Sequence, residues 1–89
     1  MDLAPESVGQ KIRIIRESMG LSRPKFAELL GVPPTTLKNY ELGYREVGGA
    51  FLVALARQEQ LHKFTLWLLS DKVAHEVGQV SPIDASNKN

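Results

Sequence analysis

With 89 residues, 43% of them hydrophobic and 24% charged, and a formal net charge of +1, the chain has the make-up of one soluble globular domain and no room for a second core. The absence of cysteine excludes disulfides, thiolate metal ligands and a thiol nucleophile. No apolar run approaches the about 18 residues of a membrane span, and the N-terminus lacks the basic and apolar regions of a signal peptide, so the expected location is the cytoplasm. A nearly neutral chain is a poor non-specific coat for nucleic acid, so any such contact depends on where charge is placed.

In chain order, residues 1–6 read as frayed, with Pro5, Glu6 and Ser7 marking a helix start. The first helix runs from about Ser7 to Met19. Val8, Ile12, Ile15 and Met19 repeat at spacings of four, three and four, and Gly20 is the stop. Arg16 falls inside this apolar stripe, about 40° from Ile12 on a wheel of about 100° per residue. A guanidinium there needs a partner. Ser22 is a good N-cap for a second helix, with Pro24 in the first turn and Phe26, Leu29 and Leu30 on its apolar side.

A tight turn at Gly31 follows, where the missing Cβ permits a left-handed backbone. Proline at 34 pushes residue 33 into an extended conformation and itself suits a first helical position. The third helix therefore runs from Pro34 to Leu42 and is closed by Gly43. Leu37, Tyr40 and Glu41 share its inner face, whereas Thr35, Lys38, Asn39 and Leu42 share the outer one. Short hydrogen-bonding groups with one cation are the mix that reads base edges and phosphates in a major groove. Glu41 is the natural partner of Arg16, since both charges face the core, and a salt bridge between them ties the first helix to the third.

After an irregular glycine-bearing loop at 43–49 comes a fourth helix over about Ala50–Gln60. Its AFLVALA segment is apolar nearly all round, which predicts a central place in the core. FTLWLL at 64–69 reads as a fifth helix with Phe64, Trp67 and Leu68 on one face, either core or a dimer contact. Residues 71–77 extend that helix or form a short extra turn. From Gly78 the sequence is polar and punctuated, and a disordered tail is expected over 78–89, leaving 1–77 as the folded domain. The fold class predicted is all-α: a compact five-helix bundle containing a helix-turn-helix, with a polar C-terminal tail.

The ordered set GLS, FAELLGV and TTLKNYE followed by Leu42 and Gly43, within Ile12–Gly43, resembles the Cro and lambda-repressor class of helix-turn-helix regulators, the Xre-like family. The likeness extends over about residues 7–69, and the GQVSP continuation looks like small prophage-associated members. The resemblance implies a transcriptional regulator, most often a repressor, that inserts helix 34–42 into the major groove of a palindromic double-stranded DNA operator as a homodimer. It implies base contacts from Pro34, Thr35, Lys38 and Asn39, phosphate contacts from Ser22, Arg23, Tyr44 and Arg45, and the structural salt bridge Arg16–Glu41. Arg23 stands where the family commonly has a glutamine that also steadies a recognition-helix side chain, and arginine there puts that steadying role in doubt. Pro33 replaces the usual serine or threonine cap. Pro34 leaves only van der Waals contact at the first reading position.

Catalysis has little support. His62 and His75 are thirteen apart with no second histidine at helical ligand spacing, and no glycine loop is built to cradle phosphate. No enzyme activity, metal or cofactor is expected. The rival reading is a protein-binding module on the same fold, with Leu42 and the Trp67 region as its surface; an antitoxin binding both a protein partner and its own promoter is a subset of the DNA-binding reading.

Overall fold

A computed structural model describes residues 7–86, all of whose regular elements are helical. The readings made for residues 1–6 and 87–89 lie outside the described residues. Six α-helices follow one another: α1 (Val8–Ser18), α2 (Arg23–Leu30), α3 (Pro34–Glu41), α4 (Gly49–Arg57), α5 (Thr65–Ser70) and α6 (Pro82–Ser86). Single 3-10 turns sit at His62–Phe64 and His75–Val77. The core gathers Ile12 and Ile15 of α1, Phe26, Ala27 and Leu30 of α2, Leu37 and Tyr40 of α3, Phe51 and Leu55 of α4, and Leu61, Phe64 and Leu68.

The first two helices carry the caps that the sequence advertises. Ser7 Oγ accepts the Gln10 N–H while Gln10 Oε1 accepts the Ser7 N–H, a reciprocal capping box. Ser22 Oγ accepts the Lys25 N–H, and Gly31 closes α2 at φ 74°. At α3 no side chain caps the start. Neither Pro33 nor Pro34 has an N–H to satisfy, and the Pro33 carbonyl accepts the N–H groups of Thr36 and Leu37.

The central element is α1, which touches α3, α5 and α6. This corrects the placement of α4. Only Phe51 and Leu55, one turn apart, are buried along it, and Val53 is 48% exposed. Leu52 is only half-buried, Val53 faces solvent and the remaining apolar positions are small alanines, so apolar composition does not make it a hub. The helix also ends at Arg57, earlier than the pattern suggests. Gln58 turns extended (ψ 124°) and its Nε2 donates to the Leu29 carbonyl, binding α4 to α2.

Gly9 sets the approach of α1 to α3. A Cβ built on it would lie 2.0 Å from the Tyr40 carbonyl oxygen, so only glycine fits this spacing. At the other end of the bundle, Lys11 is almost fully buried. Its Nζ donates to the carbonyls of Trp67 and Leu68 and pairs with the Asp71 carboxylate, capping α5 where Asp71 turns left-handed at φ 63°. Trp67 is therefore half-buried under Lys11, at 5.3 Å from its ammonium to the ring centroid.

Of the polar segment for which disorder was expected, Gly78–Pro82 is packed onto the fold. Ala74 and Gln79 exchange a pair of backbone hydrogen bonds, Val80 N–H donates to the Lys63 carbonyl, and Pro82 is fully buried. Gln79 Oε1 accepts the Leu66 N–H at the start of α5, and its Nε2 donates to the His62 carbonyl. Residues 71–77 form the extra turn rather than a longer α5, because Asp71 ends that helix.

Candidate nucleic-acid interface

The helix α3 presents its faces as its wheel predicts. Leu37, Tyr40 and Glu41 are buried, while Pro34, Thr35 and Lys38 are exposed and Asn39 is half-buried. The Asn39 amide makes no hydrogen bond to any described residue, which leaves its donor and acceptor pair available. Its backbone carbonyl accepts the N–H groups of Tyr44 and Arg45, so the loop after α3 is folded back on the helix. Tyr44 is 76% exposed. Arg45 lies over the Tyr40 ring at 5.7 Å from its centroid, and Tyr40 in turn meets Phe51 edge to face.

Behind this surface sits the charge cluster. Arg16 Nε donates to Glu41 Oε2 at 2.7 Å and Arg16 Nη2 to Oε1 at 3.0 Å, a two-point pair. Arg16 Nη1 donates to the Leu21 carbonyl at 2.9 Å. The Glu41 carboxylate holds the Arg16 pKa above its ordinary value, chiefly through this hydrogen bond and against the opposing effect of burial. The salt bridge expected between the two residues is thus present in the geometry, and it fixes the rotation of α3 against α1.

Arg23 is not free at the mouth of α2. Its Nε donates to Glu41 Oε1 at 2.9 Å, an interaction the sequence reading did not anticipate. Ser22 is exposed but uses its oxygen as the α2 cap. Arg23, Ser22, Thr35, Lys38 and Asn39 belong to the α2–turn–α3 unit, and Tyr44 and Arg45 continue from its end. Gly9 and Lys11 also escaped the reading. For Lys11 the signal was present: it lies three after Val8 and four before Ile15, inside the same stripe that betrayed Arg16. The histidines fall elsewhere. His62 Nδ1 lies 3.0 Å from the Ala56 carbonyl, and His75 Nε2 lies 2.9 Å from Asp84 Oδ2. Among the described residues no group of three or more His, Cys, Asp or Glu could hold a metal ion, and no helix is long and apolar enough to cross a membrane.

Two helices are thus joined at a left-handed glycine, the second held from behind by a buried Arg–Glu pair and polar on its outer face. A helix-turn-helix family model matches residues 12–58. The chain belongs to that helix-turn-helix family. It is also 36% identical over 76 residues to Repressor protein C of Escherichia phage P2, an alignment covering 85% of this chain and 77% of that protein. Membership of the helix-turn-helix family, together with a phage repressor as relative, makes this chain a DNA-binding regulator of transcription.

Proposed function

We propose that the chain is a sequence-specific repressor that places α3 in the major groove of a palindromic operator and acts as a homodimer in the bacterial cytoplasm, at the nucleoid. The single observation that carries this reading is the outer face of α3, where Thr35, Lys38 and an Asn39 amide unengaged among the described residues stand together on a helix whose other face is locked by Glu41. Asn39 is the chief base reader, pairing its amide with the N6 and N7 of adenine. Lys38 and Thr35 contact neighbouring base edges or phosphate, and Pro34 offers van der Waals contact alone. Ser22, Arg23, Tyr44 and Arg45 flank α3 and supply the backbone contacts.

The dimer reading draws support from the C-terminal third, where Leu69 (59%), Val77 (69%) and Ile83 (67%) are exposed. These side chains are candidates for an interface between copies. The test is selection from a random duplex pool at about 0.15 M salt. The expected product is an inverted repeat, with half-site spacing set by the distance between the two copies of α3. Asn39→Ala should then cost about 1–3 kcal/mol on the selected site and relax one base pair. Recovery of no preferred sequence would turn the assignment toward a protein-binding module.

A further inference from the structure

Arg23 opens α2, at the end of the helix where the backbone dipole is positive. A residue that only gripped a DNA phosphate would have no need of a protein carboxylate, yet its Nε is seated on Glu41 Oε1, the oxygen that also accepts from Arg16 Nη2. The two arginines differ in what they have left to give. Arg16 has committed Nε, Nη1 and Nη2, and its side chain is 11% exposed. Arg23 has committed Nε alone among the described residues, and its side chain is 31% exposed over a Glu41 side chain that is wholly buried. One carboxylate between two guanidiniums leaves one positive charge in surplus, and that surplus emerges at Arg23, the more solvated of the two.

We infer that Arg23 is a positioning residue as well as a phosphate ligand: Nε holds Glu41, and through it the C-terminal end of α3, while the Nη edge grips the DNA backbone. The inference rests on the DNA-reading function proposed above. A planar guanidinium has donors on separate edges and can serve two acceptors at once. The grip on the backbone is thereby tied to the orientation of the helix that carries Lys38 and Asn39. A lysine ammonium carries its donors on a single atom, so it serves both acceptors only where both lie within hydrogen-bond reach of that one point, which a carboxylate behind the helix and a phosphate in front of it do not.

Arg23→Lys and Arg23→Gln are compared with the unaltered protein on the selected duplex and on a random-sequence duplex across a salt series, after thermal melts establish that each variant is folded. Arg23→Lys is expected to keep the salt slope and to lose preference for the selected duplex by about tenfold, the scale of one hydrogen bond to a charged group. Arg23→Gln is expected to lose preference and, in addition, about 0.9 from the slope of log affinity against log salt. Equal loss on both duplexes for Arg23→Lys, or no loss on either, overturns the positioning role while leaving the DNA-reading function intact. Failure to recover any preferred duplex removes both together.

Discussion

The N-terminal half of the molecule and its C-terminal third are held together by different kinds of interaction. From α1 to α3 the determinants are caps at Ser7 and Ser22, a left-handed glycine at 31, and a buried ion cluster that joins α1 to α3 across 25 residues, from Arg16 to Glu41. From α5 onward the fold depends on single polar side chains reaching far along the chain. Lys11 caps the end of α5 from α1, and Gln79 caps its start from the C-terminal segment. Caps, turn glycines and charges set in apolar stripes leave a pattern that can be read one helix at a time. The Gln79 cap leaves none, because a glutamine that will satisfy a helix N–H looks the same as one that faces water, and the stripe that holds Lys11 marks a buried cation without marking its carbonyl acceptors.

Breaking the ion cluster tests the first region most severely. Arg16→Ala should destabilise the fold by about 3 kcal/mol, the low end for a buried pair losing one partner, because Arg23 still faces the stranded Glu41 carboxylate. Urea unfolding monitored by circular dichroism measures this, and an unchanged midpoint would remove the cluster from the account of α3. Gly9→Ala should come next. Alanine in a helix ordinarily gains about 1 kcal/mol over glycine, but here its Cβ would meet the Tyr40 carbonyl at 2.0 Å. Backbone has to move, so a net loss of about 1–3 kcal/mol is expected, with a gain in melting temperature as the refuting result.

The second region is sharpened by Gln79→Ala, which should cost about 1–2 kcal/mol by leaving the Leu66 N–H without its acceptor and the His62 carbonyl without one donor. Hydrogen exchange should accelerate first at Gln79 and Val80, whose N–H groups bond to Ala74 and Lys63, and leave the α1–α3 amides slow. Uniform acceleration would mean that the two regions open as one unit.

The smallest effect is expected at the exposed His75–Asp84 pair. The hydrogen bond from His75, with help from the Ser81 N–H, lowers the Asp84 pKa below its ordinary 3.8. A carboxylate whose folded pKa is depressed stabilises the fold above its unfolded pKa, and that contribution is lost as pH falls through the lower, folded value. The acid limb of the stability curve should therefore soften slightly in Asp84→Asn, in a melt series taken below pH 4. An identical acid limb would show the pair to be inert.

Much of the fold was legible before any coordinates because charge in an apolar stripe is conspicuous. Arg16 and Glu41 could be matched from two wheels, and the bounds of α1 to α3 followed from serine, glycine and proline chemistry. Three residues escaped for identifiable reasons. Lys11 lay in the same stripe as Arg16, but its acceptors are mainly carbonyls, which no sequence pattern marks. Gly9 resembled an ordinary weak helix position until α3 was placed against it. Arg23 was assigned to the backbone alone because its distance from Glu41 depends on how the turn at Gly31 folds. Composition misled at α4, whose alanines are too small to demand burial, and at Gly78–Asp84, whose polar groups are spent on capping.

Prolines 33 and 34 give the leading end of α3 a property beyond its shape. Their rings fix two successive φ angles, so the chain at this point has little freedom to lose in any state, folded or unfolded. The ordering entropy of the tip that would enter a groove is therefore settled when the protein folds, not when it meets a partner. On the proposed DNA-reading function, association then begins from a tip whose backbone is already restricted, and replacing either proline by alanine would shift part of that entropy into the binding step.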